Sequence, residues 1–298
     1  LVIVDEQHRF GVAQRLLLRK KGQNLTPHQL IMTATPIPRT LAMTHFADLD
    51  ISVIDELPPG RTPVDTRILN QSRATQVADR LDTQFDEGGQ AYWVCTLIEE
   101  TEQSVSEAAE SRLEKLKQQL PHRRIGLVHG RMKTDEKSEI MTAFASGELD
   151  LLVATTVIEV GVNVPNANIM VIENPERLGL AQLHQLRGRV GRGARVSFCI
   201  LLAGEAISQQ SRDRLSLLKN TNDGFELAEA DLRLRGPGDV TGTRQTGELS
   251  FKVADLSHHA HLLDQIASLS ETIRLNHGET RDQLIERWIG HEEHFVNV

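Results

Sequence analysis

Two carboxylates, Asp5 and Glu6, follow an apolar run at the start of the chain. That run, residues 1–4, predicts a buried parallel strand, and the carboxyl end of a strand is where open α/β sheets place ligand-binding groups. Paired carboxylates at that place suit a Mg²⁺ ligand together with a base that orients water. A polar strand end at a surface loop would carry the same two residues, so the pair alone leaves both interpretations open.

Five arginines lie between residues 177 and 195, and after Arg177 no acidic residue interrupts them. Among them, Arg189 and Arg192 stand three residues apart, with glycines beside them that allow close approach of the backbone. The planar guanidinium matches phosphate oxygens, and an arginine presented to a γ-phosphoryl group stabilises the charge that develops there. The segment therefore predicts a phosphate clamp, and a solvated basic helix is the alternative.

A third polar segment follows the apolar run at residues 151–154. Hydroxyls and backbone amides of Thr155 and Thr156 can contact phosphate groups. Farther along the same segment, Gly161 and Asn163 could meet a nucleotide.

The elements that must position these residues alternate between apolar runs and amphipathic segments from residue 66 to 203. Such alternation predicts a parallel, doubly wound α/β sheet. Residues 57–63, Leu-Pro-Pro-Gly-Arg-Thr-Pro, can continue neither helix nor strand and predict a linker. Thr134 is a candidate helix cap, and helices are expected near 257–276 and 280–289. The predicted strands are 1–4, Gln29–Met32, Thr66–Leu69, Ala91–Cys95, Ile125–Val128, Leu151–Ala154, Ile169–Ile172 and Ser197–Leu202.

The composition is that of a globular protein of about two domains. With 39% hydrophobic and 25% charged residues among 298, the chain can bury a core, which excludes a disordered protein. Its net charge of −8 argues against a nucleic-acid partner, but the arginines at 177–195 are a local anion-binding signal. Cys95 and Cys199 predict buried thiols in a reducing compartment. No signal-peptide or long apolar pattern is present, so we expect a cytoplasmic protein without membrane contact.

Four motifs, in chain order, resemble those of superfamily 2 helicases and translocases, which close two RecA-like lobes over ATP. Asp5-Glu6-Gln7-His8 is similar to motif II, Thr33-Ala34-Thr35 to motif III, residues 154–165 to motif V and residues 185–192 to motif VI. The resemblance implies RecA-like parallel-sheet lobes, the first truncated and the second complete, followed by a helical-hairpin C-terminal element.

Within this superfamily the chain is most similar to the RecG family of ATP-dependent DNA helicases, through residues 5–12, 91–100 and 173–185. Residues 231–247 are similar to the translocation motif that this family shares with transcription-repair coupling translocases. Those translocases are the nearest alternative, but Gln7-His8 and His184 favour RecG.

The resemblance implies that ATP and Mg²⁺ are the cofactors and that each candidate residue has a separate role. Asp5 would hold Mg²⁺, Glu6 would position water, and Arg189 and Arg192 would contact the phosphates. The remaining implied roles are ATP binding for Gln185, Gly161 and Asn163, coupling for His8, Thr33 and Thr35, and DNA contact or coupling for Thr155, Thr156, Arg235, Arg244 and Gln245.

The implied domains are the C-terminal part of a first RecA-like lobe at 1–57, a linker at 58–65, a second lobe at 66–205, and a translocation-motif hairpin with tail at 206–298. The chain departs from the family in two ways. It contains no Gly-Lys dipeptide and so no G-x-x-x-x-G-K-[ST] phosphate loop. Asn163 stands where the family usually has Asp. We therefore expect this chain alone not to hydrolyse ATP.

The implied task is the remodelling of branched double-stranded DNA, such as stalled replication forks and Holliday junctions, in repair and recombination. A single-stranded-DNA-binding protein is a candidate partner, and a monomer in the bacterial cytoplasm, associated with the nucleoid, is expected. The alternative of another class is a non-catalytic module that binds duplex DNA or another protein.

Overall fold

The computed structural model describes residues 1–6, 14, 17–18, 27–34, 50, 52–54, 56, 61–96, 102–156, 164–235 and 262–288. The chain groups into two compact units, one formed by residues 1–37 with 52–234 and the other by residues 38–51 with 235–298. The first unit contains two separate sheets. Each sheet carries one group of the candidate site residues.

Six strands form the larger sheet, and all of their pairings are parallel, so the predicted parallel α/β sheet is confirmed. The first of them begins at Val64, two residues before the predicted extended run. The strands are β3 Val64–Asn70, β4 Gln90–Val94, β5 Ile125–Val128, β6 Leu151–Ala154, β7 Ala167–Glu173 and β8 Ser197–Ala203. Their order across the sheet is β3-β8-β7-β4-β6-β5, which makes β3 an edge strand.

Helices connect these strands in the segments where apolar residues recur at the spacing of one helical face. The described helices from β3 to residue 235 are α1 Ala74–Asp86, α2 Glu102–Gln119, α3 Thr134–Ala145, α4 Leu180–Arg187, α5 Gln209–Asn220 and α6 Gly224–Arg235. The predicted cap at Thr134 is wrong by one residue. Lys133 is the N-cap of α3, because its backbone N–H finds an acceptor in the Glu136 side chain at 3.3 Å.

Helices pack on both faces of the large sheet, as a doubly wound fold requires. One core contains Leu81 of α1 and Leu116 of α2 packed with the fully buried Trp93. The opposite core contains Phe144 of α3, Leu183 of α4 and Leu215 of α5. Cys95 and Cys199 are buried free thiols, as predicted.

The smaller sheet pairs β1, Val2–Asp5, with β2, Gln29–Met32, in parallel. Both predicted strands are therefore confirmed. The prediction that the first run is buried along its length is wrong, because Ile3 is 57% exposed while Val4 is 5% exposed. Within the described residues β1 pairs with β2 alone, and the face of β1 that carries Ile3 and Asp5 is exposed.

The second unit contributes two described helices, α7 Leu263–Asn276 and α8 Gly278–Trp288, which contact each other. They correspond to the two helices predicted near the C-terminus. In the ranges that the structure describes, no helix has the length and apolar character needed to cross a membrane.

Candidate functional site

The carboxylate pair lies at the end of β1, where the sequence places it. Asp5 is exposed and Glu6 is half-buried. The Glu6 backbone N–H donates to the carbonyl of Met32 at 2.8 Å, which extends the pairing with β2 by one residue. The Thr33 hydroxyl donates to Oε2 of Glu6 at 3.3 Å. A predicted coupling residue therefore contacts the predicted water-orienting carboxylate.

Glu6 adopts a backbone φ of 52°, in the left-handed region that non-glycine residues seldom occupy. Such a conformation costs on the order of 1 kcal/mol and is concentrated at functional sites. The turn after β1 holds the Glu6 side chain beside Thr33 rather than continuing the strand direction. This local strain supports a functional reading of the carboxylate pair over a plain strand end.

The second group of candidate residues forms a turn, residues 188–192, directly after α4. Gly188 caps the helix, and its carbonyl accepts from Nε of Arg192 at 3.1 Å. The same carbonyl accepts from Nη2 of Arg61 at 3.1 Å. Arg61 comes from the predicted linker, and the sequence reasoning did not select it. We call residues 188–192 the arginine turn.

Gly191 lets the arginine turn lie against the segment before β3. Its φ is 76°, and a Cβ placed there would stand 3.0 Å from Cγ2 of Val64 and 3.2 Å from the carbonyl oxygen of Thr62. Only glycine fits both the backbone conformation and the space. Arg192 is exposed at the surface of the turn, while Arg189 is half-buried.

The arginine turn has a positive electrostatic potential, to which Arg61, Arg189 and Arg192 contribute. Burial, and then the charge of Arg192, lowers the pKa of Arg61 from its ordinary value. Burial raises the pKa of Tyr92 on β4 to about 12, and the charges of Arg189 and Arg192 oppose that rise. Cations held close together repel each other, and a bound anion relieves that repulsion. The turn can therefore bind an anion such as a phosphate group.

Arg187, at the end of α4, is an anchor that sequence reasoning missed. Its side chain is buried and donates to the carbonyls of Leu218 and Thr221, the second at 2.9 Å. Burial, and then the charges of Arg187 and Arg61, lowers the pKa of His184 to about 4. The neutral ring accepts at Nδ1 from Nη2 of Arg187 at 3.1 Å, because arginine can only donate.

The remaining described candidates are Thr155, Thr156 and Gln185. Thr155 is 3% exposed at the end of β6, and its backbone N–H donates to the carbonyl of Val128 at 3.2 Å. Thr156 and Gln185 are half-buried. Thr156 is thus the more accessible of the two threonines.

Several predicted residues lie outside the described ranges, and the structure places none of their side chains. They are His8, Thr35, Gly161, Asn163, Arg244 and Gln245. Arg235 ends α6, but its side chain is also outside the description.

The carboxylates at the end of β1 suit a magnesium ion that is coordinated mainly by a nucleotide and by water. In the described ranges no group of three or more His, Cys, Asp or Glu side chains could hold a metal by itself. Mg²⁺ in nucleotide sites takes one or two protein carboxylates and fills its shell with phosphate oxygens and waters. The exposed carboxylate of Asp5 suits that arrangement.

A second missed feature lies at the carboxyl ends of β4 and β7. Glu173 is buried and accepts from Nε1 of Trp93 and from Nη2 of Arg112, the latter at 3.1 Å. Next to it, Asn174 has a φ of 45° and donates from Nδ2 to the carbonyl of Thr96 at 3.2 Å. The hydroxyl of Thr96 donates back to the carbonyl of Asn174 at 3.1 Å. These bonds fix the turn that leads into α4.

Comparisons with known proteins agree with this architecture. The helicase conserved C-terminal domain matches residues 74–194, and the model for domain 3, C-terminal, of the ATP-dependent DNA helicase RecG matches residues 221–287. The arginine turn lies inside the first match. Helices α6, α7 and α8 fall within or at the edge of the second.

Curated relatives match the chain along its length. The ATP-dependent DNA helicase RecG of Escherichia coli strain K12 is 58% identical over 100% of this chain and 43% of its own length. The RecG of Thermotoga maritima is 49% identical over 89% of this chain and 34% of its own length. The chain thus spans less than half the length of these relatives.

A solved structure gives the same result in three dimensions. The structure of RecG bound to a three-way DNA junction is 44% identical, with a TM-score of 0.67, and covers 88% of this chain and 33% of that chain. Sequence identity, two family models and the fold all agree. Along its length the chain is similar to RecG helicases, of which it spans less than half.

Proposed function

We propose that this chain is part of an ATP-dependent double-stranded DNA translocase that remodels branched DNA. The observation that carries the proposal is the arginine turn, where Arg192 and Arg61 share the carbonyl of Gly188 and stand beside Arg189. An exposed guanidinium in a preorganised, electropositive turn is the group that stabilises a transferring phosphoryl group.

In the proposed reaction, ATP bound with Mg²⁺ supplies the phosphoryl group that is transferred to water. Asp5 would hold the ion, and Glu6 would orient the attacking water. Arg189 and Arg192 would stabilise the charge that develops on the phosphate oxygens. Gln185, Gly161 and Asn163 would complete the nucleotide contacts.

Coupling to DNA would begin at the contact between Thr33 and Glu6. Because Thr33 donates to the carboxylate at 3.3 Å, a change in the position of Glu6 would be transmitted to the segment after β2. His8 and Thr35 would belong to the same relay. Contacts to the DNA backbone would come from Thr155, Thr156, Arg235, Arg244 and Gln245.

Branched DNA is the proposed substrate because a RecG bound to a three-way DNA junction is similar to this chain in sequence and fold. Backbone contacts carry no sequence information, so binding should depend on DNA structure and on salt. A single-stranded-DNA-binding protein as partner, a monomeric state, and a bacterial cytoplasmic location at the nucleoid remain proposals.

The proposed domains are a part of a first RecA-like lobe at 1–57, a linker at 58–65, a second lobe at 66–205 and a translocation hairpin with tail at 206–298. The main sheet, from β3 to β8, falls within the proposed second lobe apart from the first two residues of β3. The hydrogen bond from Arg61 to the arginine turn gives the linker a direct contact with that lobe.

The experiment is ATP-dependent unwinding of a forked duplex by the protein in its full natural length. We expect unwinding of the fork but not of a blunt linear duplex, and loss of unwinding in Arg192→Ala with fork binding retained. Lys115→Ala, an exposed substitution on α2, is the control and should unwind normally. Fork binding without any unwinding by the unmodified protein would favour the non-catalytic DNA-binding module instead.

A further inference from the structure

A groove of about 420 Å³ lies beside α1, on the sheet face next to the edge strand β3. We call it the β3–α1 groove. Its floor includes Leu69 of β3 and Phe198 and Ile200 of β8, apolar side chains that are only partly buried. Since side chains alternate between the faces of a strand, Phe198 and Ile200 point to the same face of β8.

The groove exists because the described helices leave this part of the sheet uncovered. Helices α1 and α2 pack over the neighbouring strands, where Trp93 and Val153 are fully buried. Helix α5 contacts β3, but its Leu215 and Leu218 belong to the opposite core. A strip of apolar surface along β3 and β8 therefore stays open beside α1.

Three arginines surround the strip, and they differ in their partners. Arg67 pairs with Asp65 at 2.7 Å, and its guanidinium stacks over the Phe198 ring at 4.9 Å from the ring centroid. Arg73 and Arg80 are exposed, and in the described part of the chain neither has a hydrogen-bond or carboxylate partner. Their charges are available to a ligand in the groove.

The charges of α1 are divided between two sides of the helix. Asp79 accepts from Gln119, and Asp82 and Asp86 pair with Arg123 at 2.6 and 2.5 Å, on the side that faces away from the groove. The groove side carries Arg80 with Gln76, Thr83 and Gln84, and the Gln84 amide donates at 3.0 Å to the carboxylate of Glu87, the residue that caps the C-terminal end of α1. No acidic residue occupies the first turn of α1, although Arg73 caps that end, so the helix dipole adds to the positive charge there.

We propose that the β3–α1 groove binds a short acidic segment of a partner protein, with an apolar side chain on Phe198 and Ile200 and carboxylates paired with Arg73 and Arg80. The two arginines are seven residues apart on the helix, a span of about 10 Å. Three residues of a peptide in the polyproline II conformation span about 9 Å, and because that helix repeats every three residues, the side chains at i and i+3 lie on the same side. Acidic residues at positions i and i+3, with apolar residues between them, match this spacing.

The apolar floor decides between a peptide and a nucleic acid. DNA backbone contacts satisfy arginines but leave Phe198 and Ile200 uncovered, whereas an aliphatic or aromatic side chain removes that surface from water. No residue of the arginine turn lines this groove, and the inference does not depend on the proposed function.

The test measures binding of a fluorescein-labelled Gly-Glu-Leu-Phe-Glu-Gly peptide, capped at both ends, to the full-length natural protein by fluorescence anisotropy. We expect a Kd on the order of 10 to 100 µM. Arg80→Glu should weaken binding about tenfold or more, and Arg73→Glu should act in the same direction, because each replaces an attractive charge with a repulsive one. Lys115→Glu makes the same change of charge on α2 and should leave the Kd unchanged.

A second peptide, with Ser in place of Leu and Phe, tests the apolar floor and should bind about tenfold more weakly. Urea unfolding of each variant confirms that these exposed substitutions leave the fold intact. No binding by the unmodified protein, or equal binding by Arg80→Glu, would overturn the proposal. Equal binding of the Ser peptide would show that only the charges of the groove matter. Displacement of the peptide by a short DNA duplex would show that the groove binds nucleic acid. Either result would contradict the proposal.

Discussion

Arg61 and Arg192 donate to one and the same acceptor, the carbonyl oxygen of Gly188, at 3.1 Å each. One arginine precedes the first strand of the large sheet and the other follows α4, so a single helix-end carbonyl connects two distant parts of the chain. The proximity of the two guanidiniums is also visible in the lowered pKa of Arg61, to which the charge of Arg192 contributes. Arg61 therefore helps to hold the arginine turn and adds to its positive charge.

Replacing Arg61 with Gln should lower the proposed ATP turnover of the full-length protein about tenfold, because the turn loses one donor to Gly188 and one positive charge. Arg61→Lys should recover part of the loss by restoring the charge. The control is Arg124→Gln, since Arg124 also donates to a glycine carbonyl, that of Gly147, but lies far from the turn in the sequence. Steady-state kinetics with forked DNA measures the effect, and unchanged turnover in Arg61→Gln would refute the role.

Two glycines with positive φ form a matched pair for testing the close contact at the arginine turn. Gly191→Ala meets Val64 and Thr62, whereas Gly147→Ala, at φ 82°, meets nothing within 4 Å. We expect each to cost on the order of 1 kcal/mol in backbone strain, and Gly191→Ala to cost a further 1 to 3 kcal/mol, roughly, from overpacking. Urea unfolding measures both, and equal losses would contradict the close approach.

The low pKa of His184 makes stability depend on pH in a defined window. In the folded protein the ring has a pKa of about 4, against 6.5 for an ordinary histidine. Between these values the unfolded chain binds more protons than the folded protein does, so the free energy of unfolding should fall as the pH drops from 6.5 to 4. Above pH 6.5 the contribution of the neutral His184 ring to stability is fully present. The shift corresponds to at most about 3 kcal/mol.

His184→Gln should therefore lose less stability than the unmodified protein over this window, while the exposed His122→Gln should follow the unmodified protein. Unfolding in urea at several pH values between 4 and 8 provides the comparison. The same pH dependence in His184→Gln and the unmodified protein would rule out this residue as the source.

The buried pair of Glu173 and Arg112 should contribute strongly to stability. Glu173→Gln keeps an acceptor for Trp93 but leaves the Arg112 charge without its carboxylate, which should cost about 2 to 4 kcal/mol. Asp65→Asn breaks the exposed pair with Arg67 and should cost less than about 1 kcal/mol. Chemical unfolding followed by Trp fluorescence distinguishes the two, and similar small losses would show that the buried pair is unimportant.

The sequence predicts the large sheet well because each buried parallel strand is a short apolar run, as at Leu151–Ala154 and Ile125–Val128, which the structure reproduces with the same bounds. It also predicts the positions of Asp5 and Arg192, since strand ends and glycine-rich turns can be recognised locally. The cap of α3 was misplaced because Glu136 supplies the acceptor that makes Lys133 the N-cap.

Long-range partners could not be predicted in the same way. Arg61 and Gly188 are 127 residues apart, and Arg112 and Glu173 are 61 apart. No local pattern specifies such pairings. An arginine in a Pro-rich linker and a glutamate at the end of an apolar strand indicate only that each charged group needs a partner. The open face of β1 was missed because burial depends on neighbours that a single strand does not reveal.

The central claim is that Glu6 and Arg192 act in one ATP-hydrolysing site. The most direct test is DNA-stimulated ATP hydrolysis by the full-length natural protein, compared with Glu6→Gln and Arg192→Ala, on forked DNA. The account predicts that both substitutions lower turnover by on the order of 10³ while fork binding is retained. Undiminished turnover in either variant would contradict the assigned roles.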